Sequence, residues 1–204
     1  MAFLRSGLGN EWLPHVRVDG LHLRPPHMGD YVEWAELRAQ SRDHLVPWEP
    51  QWARDELSRE AFRRRIRHYQ RELREDLGYA FFIFREPDDT LLGGITLSNV
   101  RRGVTQAASV GYWIGKSYAG RRYMTKALSG IIRFAFDELK LHRLEAACMP
   151  TNQASIRVLE RNGFRREGLA RRYLKINGVW QDHLVYATLS DDPREDYRGT
   201  GTTG

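Results

Sequence analysis

The stretch Gly111-Tyr-Trp-Ile-Gly-Lys-Ser-Tyr-Ala-Gly-Arg-Arg-Tyr-Met-Thr-Lys-Ala-Leu128 decides how this chain is read. Residues 107–114 (AASVGYWI) read as a strand. Beyond the loop, Met124, Ala127, Leu128, Ile131, Ile132, Ala135 and Leu139 fall on one face of a helix over 124–139. The loop between them holds Gly120. A helix start exposes unpaired N–H groups and the positive end of the dipole, so it attracts phosphate. Arg121 and Arg122 add formal charge at the same place, which makes the segment a candidate diphosphate cradle. Spacing alone more often marks an ordinary strand–loop–helix junction.

On the N-terminal side, residues 16–24 (VRVDGLHLR) alternate apolar and polar and read as one opening strand, stopped by Pro25-Pro26. A helix follows over 29–41, then a loop over 44–52 (HLVPWEPQW) rich in Trp and Pro. A second helix spans about 54–75, with Phe62, Ile66, Tyr69 and Leu73 at helical spacing. Strands at 79–85 and 91–100, joined by short turns to 107–114, make an antiparallel meander. On the C-terminal side come a buried strand over 143–149, a helix over 152–162 closed by Gly163, and a hairpin of 169–176 and 179–189 around Asn177-Gly178. The order predicts a mixed α/β (α+β) domain over 16–189 with helices on the faces of its sheet. Residues 1–15 read as an extension. Residues 190–204, with little apolar content, read as a disordered tail.

Composition narrows the function classes. The chain has 204 residues and one cysteine, Cys148, so an internal disulfide is excluded and a reducing compartment is expected. No apolar run is long enough to span a membrane, and the first residues do not read as a secretion signal, which gives a cytoplasmic expectation. The seven histidines show no metal-ligand spacing, so no metal is expected. The net charge of +6 comes from an Arg-rich composition, and most of it reads as solvated surface.

The loop resembles the acetyl-CoA motif Q/R-x-x-G-x-G/A of the GNAT N-acetyltransferases, carried here by Ser117, Tyr118, Ala119, Gly120, Arg121 and Arg122. Ser117 and Arg122 depart from the pattern, while Tyr123, Met124 and Thr125 look like the family's helix start. A second block, Met149 to Gly168, resembles the family segment N-x-x-S-x-x-x-L-x-x-x-G-F. With His44-Leu-Val-Pro-Trp-Glu-Pro50 and Asp182-His183 it is similar to the RimJ/RimL-like branch, which acetylates ribosomal-protein N-termini. The resemblance implies the GNAT fold, a central, mostly antiparallel sheet flanked by helices and ending in a C-terminal β-hairpin. It also implies acetyl-CoA as cofactor.

It further implies site roles. Asn152, Ser155 and the loop residues 117–125 would contact the cofactor, with backbone amides around Trp113 and Ile114 stabilising the oxyanion. Many relatives carry a Tyr seven residues after the Asn; here that position is Leu159, so Ser155 becomes the substitute donor to the departing thiolate. Asn152 is equally a good helix N-cap. The base is open among Glu49, Glu145, Tyr173 and His183, with Glu49 and Glu145 carried as catalytic candidates. The implied acceptor is a protein N-terminal amine, with association to a ribosome in view, on a monomer or homodimer. A small amine (antibiotic, polyamine or amino acid) is the alternative acceptor, and a non-catalytic CoA- or RNA-binding module is the reading from another class.

Overall fold

The computed structural model describes residues 13–86 and 88–193. The extension and tail expected from sequence lie almost wholly outside the described residues. An eight-stranded sheet runs in the order β1-β2-β3-β4-β5-β6-β8-β7. Its strands are β1 (Val16–Val18), β2 (Leu21–Arg24), β3 (Tyr79–Arg85), β4 (Thr90–Arg101), β5 (Ala107–Ile114), β6 (Arg143–Cys148), β7 (Arg165–Ile176) and β8 (Val179–Leu189). Every neighbouring pair is antiparallel except β5–β6.

Alternation along β3 explains the two cores. Phe81 and Ile83 point to one face, Phe82 and Phe84 to the other, and all four are buried. Helices α4 (Tyr123–Arg133) and α5 (Gln153–Arg161) cover the first face, where Leu128, Ile131, Phe134 and Leu159 pack on Phe81, Ile95 and Leu144. Helices α1 (Tyr31–Gln40) and α3 (Arg59–Arg74) cover the second, with Trp34, Phe62 and Ile66 on Phe82 and Phe84. Burying each such side chain contributes roughly 1.5–3 kcal/mol.

Four expectations are corrected. The single strand expected over 16–24 is a hairpin of β1 and β2, because Asp19 (φ 48°) and Gly20 (φ 79°) form the two positive-φ positions of its turn. The second helix begins at Arg59 rather than 54, where the Ser58 hydroxyl caps it by accepting the Ala61 amide at 3.1 Å. The expected loop at 44–52 starts helically, with a short α2 (Arg42–Leu45) and a 3-10 turn over Val46–Trp48. The helix expected over 124–139 changes pitch, and Phe134–Glu138 is a π-turn in which the Leu139 amide reaches the Phe134 carbonyl.

Candidate active site

The site grows out of the one parallel strand pair. β5 and β6 pair at three positions only, Ala107–Arg143, Ala108–Leu144 and Ser109–Glu145. Past them β5 runs on to Ile114 bonded to β4 alone, and β6 to Cys148 bonded to β8. The Gly115 amide donates to the Leu92 carbonyl at 2.8 Å. Strand backbone groups alternate between edges, so the Trp113 amide also points to β4, while those of Tyr112 and Ile114 point into the gap left by β6. Of the two amide positions expected from sequence, Ile114 is therefore open and Trp113 is engaged. Gly93 makes this approach of β4 feasible, since a Cβ there would sit 2.3 Å from the Trp113 carbonyl oxygen.

The loop after β5 supplies the other end. Lys116–Tyr118 form a 3-10 turn held by the buried Ser41, whose hydroxyl accepts the Lys116 amide at 2.9 Å. Ala119 is extended, and Gly120 turns the chain at φ 76°. Arg122 then caps α4 in the left-handed region, at φ 62° and ψ 5°, with no side-chain hydrogen bond to the cap. A glycine adopts this conformation without strain, which gives a physical reason for the small residue of the motif; a non-glycine residue there costs roughly 1–2 kcal/mol. Across the cap, the Lys126 amide donates to the Arg122 carbonyl at 3.1 Å. The amides of Tyr123, Met124 and Thr125 precede it and face the loop as helix-start donors.

Three side chains meet where the gap opens. The Tyr112 hydroxyl from β5 lies 2.8 Å from Ser155 Oγ on α5, and 3.4 Å from the Ser155 carbonyl oxygen. Burial pushes the Tyr112 phenol well above its ordinary range, against the smaller opposing effect of the Ser155 hydrogen bond. Burial likewise raises the Cys148 thiol on β6, and Ser155 again opposes it. Asn152 caps α5, its side-chain oxygen accepting the Ser155 amide at 3.0 Å.

On the other face of the sheet, Glu49 is part of an ion pair. Arg38 donates to both its oxygens, at 3.1 and 2.6 Å, and Trp52 Nε1 donates to Oε2 at 2.7 Å. The Arg38 side chain is only 4% exposed and stacks on Trp52 and Trp113, with centroids at 4.6 and 5.0 Å. The Glu49 backbone carbonyl also accepts the Asn177 amide at the tip of the β7–β8 hairpin. Glu145 sits in the paired half of β5–β6, bonded by Arg101 at 2.8 Å and Arg143 at 2.9 Å. Neither carboxylate is presented alone to the gap. His183 lies one residue beyond Leu184, the partner of Cys148, and is 3% exposed. Its Nδ1 is 3.0 Å from the Gln181 carbonyl, so Nδ1 carries the proton and a neutral ring keeps its lone pair on Nε2. Tyr173 packs edge-on against that ring at 5.9 Å.

Sequence reasoning missed Tyr112, Arg38 and Gly93. Tyr112 stood inside the quoted stretch, but only the register of β5 against α5 shows its partner. A cavity of about 870 Å³ lined by residues including Pro25, Tyr69, Arg74, Tyr79 and Arg102 lies at the opposite end of the strands, and contains none of the site residues named from sequence.

Open strand amides at one end, and uncapped helix amides with Arg121 and Arg122 at the other, suit an elongated ligand carrying a carbonyl and a diphosphate. Comparison with known proteins agrees. The acetyltransferase (GNAT) domain model matches residues 20–165. The chain is 42% identical over 175 residues to the probable N-acetyltransferase YjcK of Bacillus subtilis, covering 86% of this chain and 97% of that protein. It is 32% identical over 182 residues to the [ribosomal protein uS5]-alanine N-acetyltransferase of Escherichia coli, covering 88% and 94%. Among solved structures, Mycobacterium smegmatis RimJ in complex with CoA-disulfide superimposes with a TM-score of 0.80 at 34% identity, covering 87% of this chain and 86% of that one. The chain therefore belongs to the GNAT family, in its RimJ/RimL-like branch, and is an acetyl-CoA-dependent N-acetyltransferase.

Proposed function

We propose that the acceptor is the α-amino group of a protein N-terminus, of the kind ribosomal proteins carry. The observation behind this reading is the likeness to the uS5-alanine enzyme, which runs through 94% of that protein's length. The Glu49 loop, tied to the hairpin tip by the Asn177 amide, would border the path by which the acceptor chain enters.

When bound, acetyl-CoA supplies the thioester that the amine attacks, with CoA thiolate as leaving group. In our assignment the amides of Tyr123, Met124 and Thr125, with Arg121 and Arg122, hold the diphosphate, helped by the 3-10 turn Ser117-Tyr118 and the bend at Ala119-Gly120. Asn152 Nδ2 is left by its capping role to meet the pantetheine arm. The Ile114 amide would donate to the thioester carbonyl oxygen, where charge develops.

Ser155 would donate a hydrogen bond to the departing sulfur. The Tyr112 hydroxyl lies 2.8 Å from Ser155 Oγ and holds that side chain in place; our assignment makes Tyr112 the donor, which leaves the serine proton free to face the sulfur. A phenol raised by burial stays protonated. It therefore orients Ser155 and is not the proton source, which suits a thiol leaving group with a pKa near ~8.5. His183 Nε2 takes the ammonium proton, while Glu49 anchors the mouth through Arg38.

Mass spectrometry of ribosomal-protein N-termini from a deletion strain tests the acceptor. Loss of one N-terminal acetyl group, restored by the gene, supports the reading. An unchanged pattern, with turnover on a small amine by the purified enzyme, overturns it.

A further inference from the structure

The cations of this chain fall into two kinds. Around α3, Arg63, Arg64 and Arg65 are neutralised by Glu60, Asp55 and Glu56, although Arg67 and Arg74 of the same helix carry no ion pair among the described residues. From Gln153 to Asp182, seven cations stand against three acids, which accounts for most of the net charge of +6. Of the seven, only Arg165 has an acidic partner among the described residues, Asp192. Glu167 is taken by Arg143, Glu160 accepts from the Tyr186 hydroxyl, and Asp182 accepts the Arg172 amide. Arg157, Arg161, Arg166, Arg171, Arg172 and Lys175 are exposed and carry no ion pair among the described residues.

The same ribbon is unusually apolar for a surface. Leu169, Tyr173, Leu174, Val179 and Trp180 are all exposed, with Trp180 at 58%. Register puts Trp180 beside Lys175 and Leu184 beside Leu169, whereas Leu174 and Val179 sit opposite Gln181 and Ile176 on the other face. The exposed apolar groups are thus divided between two faces, so the ribbon has no single greasy side to lay into a bilayer. What it offers is one exposed ring on each strand, Tyr173 on β7 and Trp180 on β8, beside guanidinium groups on β7, whose strand partner among the described residues is β8.

We propose that the β7–β8 ribbon, with the adjoining cations of α5, is a binding surface for single-stranded RNA. Guanidinium groups bind phosphate bidentately, and exposed rings stack on bases without needing a sequence. The ribbon tip is tied to the Glu49 loop by the Asn177 amide, and the cations and rings lie on the strands behind that contact. The inference does not depend on which amine is acetylated.

The test is fluorescence anisotropy of the full chain with a labelled single-stranded RNA of ~15 nucleotides, from about 50 to about 200 mM salt. Wild-type protein is expected to bind with a slope of log K against log salt near about −2 to −3, for three or four phosphate contacts at ~0.7 each. R166Q/R171Q/K175Q should weaken binding at least about tenfold and flatten that slope by about 2. W180A should weaken binding by about fivefold or more and leave the slope unchanged, the signature of stacking. Both variants should keep wild-type melting temperature and wild-type thiol release with a peptide acceptor. No RNA binding at the lowest salt, binding indifferent to both variants, or binding to anionic phosphatidylserine vesicles in place of RNA would overturn the proposal.

Discussion

The two halves of the β5–β6 pair come from the same two strands and do opposite things. In the paired half, Ser109 and Glu145 are in register, and Arg101, Arg143 and Glu167 tie the side chains across it. In the open half the strands keep their outer partners and release each other, so the Ile114 amide has no strand partner on that side and Tyr112, Cys148 and Ser155 gather at the opening. Satisfied backbone is inert, and a strand edge in a sheltered gap is reactive. In the proposed mechanism the chemistry sits where the ladder stops.

Exchanging equivalent probes between the halves breaks the comparison most directly. His183→Asn, at the base proposed for the open half, is expected to lower kcat/KM by about 10²–10⁴-fold, the usual worth of a general base. Glu145→Gln in the paired half should leave kcat within about threefold, because an exposed ion pair contributes only ~0–1 kcal/mol. The reverse ranking would move the base to Glu145. Glu49→Gln separates anchoring from catalysis, because weakening a buried pair costs stability: a drop of about 3 kcal/mol in urea unfolding with kcat largely kept supports the anchor. Lost turnover at full stability would restore Glu49 as base.

Next in size is Gly93→Ala. A methyl 2.3 Å from the Trp113 carbonyl must push β5, and misplacing one oxyanion donor costs about 10²–10³ in kcat. Ser155→Ala should cost about 10–100-fold, a hydrogen bond to a charged group, and Tyr112→Phe about three- to tenfold. Stopped-flow detection of thiol release ranks them, and Tyr112→Phe exceeding Ser155→Ala would contradict the order of action.

Smaller effects sharpen the picture. Arg122→Gly removes left-handed strain and should raise stability by about 1 kcal/mol while weakening CoA binding a few-fold through the lost cation. In the paired half, the Arg143 hydrogen bond holds the Glu167 carboxyl below its usual range, outweighing its slight desolvation. Its contribution is present above the ordinary Glu pKa, near ~4.3, and is lost as pH falls through the folded value. Acid should therefore speed amide exchange at Leu144 by a small factor.

The sequence was most readable where period and punctuation agree. The helix from Met124 and the Asn177-Gly178 turn are examples, and the loop motif placed Gly120 and the α4 start correctly. The Asp19-Gly20 turn was equally visible as a dipeptide, but an alternating pattern on both sides concealed it. The engagement of Glu49 and Glu145 was not visible, since Arg38 lies eleven residues from Glu49, and Arg101 forty-four from Glu145. Tyr112 and Ser155 meet across forty-three residues, and only the parity of β5, fixed by the Gly115–Leu92 bond, tells which amide is open.

That parity decides which strand amide is open. Residue-resolved amide exchange, followed by NMR with and without acetyl-CoA, tests it directly. The account predicts that Ile114 is poorly protected alone and becomes strongly protected on binding, while Trp113, already bonded to β4, hardly changes. Protection gained at Trp113 with Ile114 unaffected would contradict it.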